Sequence, residues 1–285
     1  MSENINSIEI PETVGLIAGG DLLPIEFVNN VRNLGVKKIV SVGFKDYTSP
    51  IIQQKSDVYD TIGIGQLGKL IKIFKNNGVK NAVMLGALSP KLTIANLKLD
   101  LRMLMLATKV RDRRADSVLG AIVNEFTKDG ICIEDSTKYL KHLLMPEGLL
   151  TKKKPSQEQL IDINFGIEIA LASGALDIGQ TVIVHKHAVV AVEAMEGTDK
   201  CITRAGELAK DCVIVKMAKP KQDLRFDIPC LGPITINTVI NSGAKVLAVE
   251  AGKSYFLDKE NALNIANKHG IVVLGITPDM IKGKK

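Results

Sequence analysis

Between residues 14 and 86 the chain alternates short apolar runs with amphipathic stretches, and glycine punctuates the runs. Val14-Gly-Leu-Ile-Ala18 is followed by Gly19-Gly20, Lys38-Ile-Val-Ser-Val ends at Gly43, and Asn81-Ala-Val-Met-Leu85 is closed by Gly86. Continuous apolar runs of this length, bounded by glycine, read as strands buried on both faces. Between them, Pro24 to Leu34 ends at Gly35. Leu67 to Asn77 has a helical period and stops at Gly78, a helix C-terminus signal. A β-α-β-α-β rhythm demands a parallel sheet with helices on its faces. Such sheets take ligands beyond the carboxyl ends of their strands, where Gly19, Gly20 and Gly86 lie.

The remainder is less regular. Thr93 to about Lys128 is expected to be helical, interrupted near Arg111-Asp-Arg-Arg114, and a strand-like Ile131-Cys-Ile-Glu134 follows Gly130. The polar stretch Thr151-Lys-Lys-Lys-Pro155-Ser-Gln is the best linker candidate. Downstream, a helix is expected over Gln157 to Ser173. A hairpin is expected from Thr181–His185 and Ala188–Glu193, turning at Lys186-His187. Strands are expected at Cys212–Met217, Lys245–Val249, Tyr255–Leu257 and Ile271–Leu274, and helices at Pro233–Asn241 and Lys259–His269. The expected fold is α/β in two domains: an N-terminal Rossmann-like parallel sheet (1–147), a linker (148–158), and a C-terminal mixed-sheet α/β domain (159–285). A chain of 285 residues accommodates both, since single domains usually run to about 100–200 residues.

Composition narrows the functional classes. The chain is 46% apolar and 24% charged, ordinary for a globular protein. A net charge of +6 is spread evenly over the two halves rather than gathered in a tail, so no nucleic-acid partner is expected, while anionic ligands fit. The polar Met1-Ser-Glu-Asn-Ile-Asn start does not resemble a secretory signal, and no apolar run approaches the roughly 18 residues that span a bilayer. Cys132, Cys201, Cys212 and Cys230 show no CxxC spacing and are expected as free thiols in a reducing cytoplasm.

Three segments can carry chemistry. Gly15-Leu-Ile-Ala-Gly19-Gly20-Asp21 is a strand feeding a glycine turn, whose N–H groups can approach a phosphate or sugar. The same pattern also makes a tight βα turn without a ligand. Glu193-Ala-Met-Glu196-Gly197-Thr198-Asp199 leaves a strand and enters a helix. Its free N–H groups suit an anion and its carboxylates a divalent cation, while simple capping by Thr198 or Asp199 is the plainer use. The richest is Lys216-Met-Ala-Lys219-Pro220-Lys221-Gln222-Asp223-Leu-Arg225-Phe-Asp227-Ile-Pro229. Lys219 and Arg225 can hold phosphate oxygens, and Asp223 and Asp227 can hold Mg²⁺; a solvated loop of mutually neutralising charges is the alternative. The Leu/Met-rich run Leu97 to Leu106 reads as a core helix before it reads as an acyl-chain groove. His185 and His187 share a hairpin face without making a metal site. Lys152, Lys153 and Lys154 fit a solvated linker or an anionic membrane surface.

Taken together, five segments resemble the LpxI-type UDP-2,3-diacylglucosamine pyrophosphatases: Gly15 to Pro24, Leu176-Asp-Ile-Gly-Gln180, Ala191 to Asp199, Lys219 to Pro229, and Ala248-Val-Glu-Ala-Gly252. They follow the family order over almost the whole chain. The resemblance implies a cytoplasmic, Mg²⁺-dependent hydrolase of lipid A biosynthesis, peripheral at the inner membrane if it contacts the bilayer at all. It implies cleavage of UDP-2,3-diacylglucosamine to UMP and 2,3-diacylglucosamine 1-phosphate, by water attacking the α-phosphorus, with two α/β domains enclosing the lipid. The family's essential aspartate falls on Asp227. Catalysis is then expected from Asp227, Asp223, Arg225 and Lys219. Metal binding is expected from Asp227, with Asp223 or Glu196, and substrate contacts from Gly19, Gly20, Gly86, Gln180, Thr198, Asp199 and Gln222. The expected partners are the substrate, its lipid product, a transient membrane surface and a possible second copy of the chain. This chain departs from the family pattern at Ala87, at Pro90-Lys91, at Ala115-Asp116 and at His187 in the hairpin turn. A non-catalytic sugar-nucleotide or acyl-lipid binding protein is the alternative function. A nicotinamide-dependent oxidoreductase would rest on Gly19-Gly20 alone, without GxGxxG.

Overall fold

A computed structural model describes residues 10–87, 98–110, 115–220, 222–226 and 228–278, without the side chains of Ala115 and Asp116. Asp227, Lys221 and Pro90-Lys91 therefore lie outside the described residues, as do the side chains of the Ala115-Asp116 departure. The chain divides into two compact units. The N-terminal unit is Met1–Lys141 with Asp223–Asp227, and the C-terminal unit is His142–Gln222 with Ile228–Lys285.

The N-terminal unit runs β1 (Thr13–Ala18), α1 (Leu23–Asn30), β2 (Lys38–Phe44), α2 (Pro50–Lys55), β3 (Val58–Ile62), α3 (Leu67–Asn76), β4 (Asn81–Leu85), α4 (Leu101–Lys109), α5 (Ala115–Lys128), β5 (Cys132–Ile133) and α6 (Thr137–Leu140). Its five strands are all parallel, in the order β3-β2-β1-β4-β5. The glycine-closed runs are the three central strands β2, β1 and β4. Strand β3 escapes the sequence reading because it is an edge: its middle, Tyr59-Asp60-Thr61, is polar and only Ile62 is buried. The short α2 opens at Ser49-Pro50, where the Ser49 hydroxyl accepts Ile51 N–H and proline sits in the first turn. On one sheet face, Ile17, Val40, Val42 and Ala82 pack against Leu70, Phe74 and Phe126. Phe74 and Phe126 hold their ring centroids 6.2 Å apart.

The C-terminal unit runs β6 (Gly148–Leu149), α7 (Gln157–Ala175), β7 (Thr181–His185), β8 (Ala188–Val192), α8 (Thr198–Leu208), β9 (Val213–Lys216), β10 (Cys230–Leu231), α9 (Pro233–Ser242), β11 (Val246–Glu250), β12 (Tyr255–Phe256), α10 (Lys259–Lys268) and β13 (Val272–Ile276). Six strands form one sheet in the order β6-β13-β11-β9-β7-β8. The inner pairs β13-β11 and β11-β9 are parallel and the flanking pairs antiparallel, the mixed sheet expected. Both faces are covered, which is why Val213 to Val215 of β9 read as an apolar run, ending at Lys216. Val213 and Val215 face the core against α7, while Ile214 faces the core shared with α8 and α9.

Three expectations are corrected here. Tyr255–Phe256 does not join the large sheet; β12 pairs in parallel with β10 as a separate two-stranded sheet, because a two-residue strand can bury both aromatic rings without extending the main ladder. The stretch 148–158 is not a free linker but part of the C-terminal unit. Leu149 and Gly148 pair with β13, Thr151 Oγ1 accepts Val273 N–H at 3.0 Å, and Ser156 opens α7 with a reciprocal capping box to Gln159. Nor is α4 a core helix: Leu106 is buried, but Leu101, Leu104 and Met105 are exposed.

The hairpin turns at Lys186-His187 as expected, with both residues left-handed at φ 48° and 62°. This type of turn favours glycine. The buried Asp162 carboxylate offsets the cost by accepting both turn amides, Lys186 N at 3.0 Å and His187 N at 2.7 Å.

Candidate active site

In the N-terminal unit the strand order reverses between β1 and β4, and Gly19, Gly20 and Gly86 meet at the carboxyl ends of those two strands. Gly19 N donates to Leu85 O at 2.8 Å and Gly20 N to Ala87 O at 2.9 Å. A Cβ on Gly19 would stand 2.4 Å from Gly86 O, and Gly86 itself is left-handed at φ 88°. The glycines thus let two backbones touch. The Gly19 and Gly20 amides are engaged by backbone carbonyls, Leu85 O and Ala87 O. Asp21 completes the turn: its carboxylate accepts Leu23 N–H at the start of α1 and Ala87 N–H, at 2.9 and 3.0 Å. A carboxylate of the chain's own therefore sits where a phosphate would sit in a glycine-loop nucleotide site. At the Ala87 departure, both the backbone N–H and the carbonyl are engaged in this turn.

Beside this turn lies a cavity of about 270 Å³, lined by Ile17, Gly19, Phe44, Met84, Leu85, Gly86, Ala87, Leu119 and Phe226. A second, smaller apolar cavity of about 120 Å³ shares Ile17, Phe44, Met84 and Leu119 and extends toward Met103 and Phe126. Phe226 is the notable lining residue. It belongs to the Asp223–Asp227 segment, which groups with the N-terminal unit although the chain before and after it belongs to the C-terminal unit. Within this segment Arg225 and Asp223 hold each other: Nε reaches Oδ1 at 2.9 Å and Nη2 reaches Oδ2 at 2.6 Å. The Arg225 fork keeps the Asp223 carboxyl below the usual carboxylate range. The two residues expected to hold phosphate and metal separately are thus joined.

In the C-terminal unit, polar residues gather at the carboxyl ends of β9 and β11. Lys216, 5% exposed, donates to Thr198 Oγ1 at 2.6 Å, and Thr198 donates to Glu193 Oε1 at 2.9 Å. Glu250, 2% exposed, accepts Ala218 N–H at 2.7 Å and pairs with Lys253 at 2.9 Å, fixing where the loop after β9 leaves the sheet. Lys219 pairs with Asp177 at 2.7 Å, and Gln222 folds back so that Oε1 accepts Lys219 N–H at 2.8 Å. The Leu176-Asp-Ile-Gly-Gln180 segment gains a local meaning. Asp177 holds Lys219, and Gly179 admits the Glu193 backbone, where a Cβ would stand 2.0 Å from Glu193 O. Asp199 is exposed in the first turn of α8. Glu196 accepts Ala194 N–H and pairs with Arg204 at 2.6 Å, which keeps its carboxyl low.

Sequence reasoning missed Lys216, Asp177 and Glu250 as site builders, although each lies in a segment it singled out. What it lacked was the knowledge that three strand ends converge. For a hard cation such as Mg²⁺, no group of three or more His, Cys, Asp or Glu side chains assembles among the described residues. Two oxygens do fit it in kind: Glu193 Oε2 and Gln180 Oε1 are buried without a hydrogen-bond partner.

Two α/β units, the first a parallel sheet with its switch point closed by glycine and the second a mixed sheet with buried acids and a lysine at its strand ends, define a two-domain α/β protein. Residues 13–143 match the model of the LpxI N-terminal domain and residues 146–274 that of the LpxI C-terminal domain. A Caulobacter vibrioides protein named UDP-2,3-diacylglucosamine pyrophosphatase LpxI is 30% identical over 277 residues, 93% of this chain and 98% of that one. The chain belongs to the LpxI family. A solved structure, the biotin carboxylase domain dimer of Hydrogenobacter thermophilus 2-oxoglutarate carboxylase, aligns at 12% identity over 93% of this chain and 44% of that one. Its TM-score of 0.25 contributes nothing to the assignment.

Proposed function

We propose that this chain hydrolyses the pyrophosphate bond of UDP-2,3-diacylglucosamine, releasing UMP and 2,3-diacylglucosamine 1-phosphate in lipid A biosynthesis. The observation that carries the reading is the C-terminal cluster. Lys216 donates to Thr198, Thr198 donates to Glu193, and Lys219 pairs with Asp177; apart from Lys216, these residues lie in three of the segments that carry the family's motifs. The relative from Caulobacter, named for this activity, covers nearly the whole chain in support.

The chain's own groups divide the work by charge. Lys219 and Arg225 are each matched by a carboxylate, Asp177 and Asp223. Each cation can exchange its carboxylate for a phosphate oxygen and take charge-assisted bonds, the guanidinium fork of Arg225 matching two phosphate oxygens. As the bond between the α-phosphorus and the bridging oxygen breaks, charge builds on the leaving phosphate, and fixed cations stabilise it. Thr198, Asp199 and Gln222 orient sugar and phosphate hydroxyls. The cavities beside Gly19 and Gly86 suit the apolar acyl portion of the substrate rather than its anionic end. Glu193 Oε2 and Gln180 Oε1 are the oxygens that would be open to Mg²⁺, which would offset phosphate charge and lower the pKa of water there. Asp223 and Glu196 would have to release an arginine to join it. Asp227 enters by resemblance as the essential carboxylate.

The test is turnover in ¹⁸O-labelled water by wild type and Asp227→Ala. The reading expects Mg²⁺-dependent release of labelled UMP by wild type and none by the variant. Label in the lipid phosphate overturns attack at the α-phosphorus. Copurified lipid without any UMP release favours a binding protein instead.

A further inference from the structure

We propose that the outer stripe of α4 is a docking surface for an anionic lipid bilayer. Leu101, Leu104 and Met105 are 73%, 51% and 55% exposed, and their i, i+3, i+4 spacing sets them on one face of the helix. Three large apolar side chains standing together in water on a nine-residue helix mark a contact surface.

The helix cannot roll to hide them. Its opposite side is held by buried Leu106 and by Met103 packed against the core. Arg102 pairs with Glu125 at 2.8 Å and with the Asp129 carboxylate. Asp100 locks the amino end, accepting Met103 N–H at 2.9 Å through one oxygen and Gly68 N–H at 2.6 Å through the other. The outward stripe is therefore imposed by ion pairs and a cap on the inward side.

Charge selects the occupant. Exposed Lys98 and Lys109 flank the stripe at its two ends, and residues 101–109 contain no acid. Lysine stems extend along apolar surface and lift their ammonium groups to headgroup level. A second copy of the chain meeting this face two-fold would bring like charges together, whereas anionic lipid headgroups meet them with opposite charge. No helix among the described residues is long and apolar enough to cross a membrane, so the contact is one of lying on the surface. The exposed Lys152, Lys153 and Lys154 lack such a companion stripe: no Leu, Ile, Met or Phe stands among residues 151–157.

The experiment is cosedimentation of the full chain with vesicles of phosphatidylcholine alone and of equal parts phosphatidylcholine and phosphatidylglycerol. No nucleotide sugar is present, so the result is independent of the hydrolase reading. Wild type is expected to bind the anionic vesicles at least about tenfold more tightly than the neutral ones. The variant Leu101→Gln/Leu104→Gln/Met105→Gln is expected to lose binding with its thermal unfolding unchanged. Lys98→Glu/Lys109→Glu changes only exposed groups and is expected to lose the anionic preference; it decides the matter if the triple variant misfolds. Wild type that stays in the supernatant, or a folded triple variant that sediments like wild type, overturns the proposal. A concentration-dependent dimer abolished by the triple variant, with no vesicle binding, assigns the face to a second copy instead.

Discussion

Replacing Gly19 by alanine should destabilise the protein by about 4–6 kcal/mol, whereas the same change at its neighbour Gly20 should leave stability within about 0.5 kcal/mol. The added Cβ at position 19 would stand 2.4 Å from Gly86 O, 2.7 Å from Gly86 C and 2.9 Å from Ala87 O. All three are backbone atoms, so no rotamer change relieves the clash. The carboxyl ends of β1 and β4 must part instead. Parting them breaks Gly19 N to Leu85 O, Gly20 N to Ala87 O and Ala87 N to Asp21. Three hydrogen bonds at a net value near 1 kcal/mol each, with overpacking of about 1–3 kcal/mol, give the figure. At Gly20 the Cβ would lie 3.4 Å from Ala87 O and 3.5 Å from Tyr47 O, ordinary contacts. Urea unfolding followed by circular dichroism compares the two variants. At a slope of about 1–3 kcal/mol per molar urea, the Gly19→Ala midpoint should fall by at least about 1 M. Equal midpoints for the two variants would refute the account of Gly19 as a backbone clearance, and would return its amide to the role of phosphate donor.

Two further outcomes follow from the charged clusters. Lys216→Met should cost about 3 kcal/mol in thermal unfolding by leaving the Glu193 carboxylate buried opposite Thr198 without its cation, and Lys216→Met/Glu193→Gln should recover most of that loss. An equally unstable double variant would mean that Lys216 acts through other contacts. The Asp223 carboxyl is lowered in the folded state by its hydrogen bonds to Arg225, so the pair stabilises the fold above the unfolded aspartate range and loses that contribution as pH falls through the folded value. Because both side chains are about a third exposed, screening keeps the effect small. A carbon-detected titration should find Asp223 moved back up toward the ordinary range in Arg225→Gln, and an unmoved midpoint would show that Arg225 is not the cause.

The strands β1, β2 and β4, the hairpin at Lys186-His187 and the helices that stop at glycine were readable because each is specified locally: a run of apolar residues, a period, a residue that ends it. That the first sheet is parallel, with Gly19 and Gly86 at the carboxyl ends of its strands, follows from that rhythm; the strand order that makes their meeting place a switch point does not. The motif segments were visible too, but their pairings were not. Asp223 with Arg225, Lys219 with Asp177, and Lys216 through Thr198 to Glu193 join residues whose proximity depends on where strand ends converge. The edge strand β3 and the small β10-β12 sheet were likewise invisible, since one lacks a second neighbour and the other is two residues long.

What the sequence determined by itself was the ordering of two α/β halves and the chemical kinds present in each segment, because backbone preference and hydrophobic period act over a few residues. Only the tertiary structure decided which carboxylate each cation meets, that Asp21 fills the anion position beneath α1, and that α4 turns its leucines outward. Those outcomes depend on close approaches and ion pairs between residues far apart in the chain, and no local pattern encodes a distance across the fold.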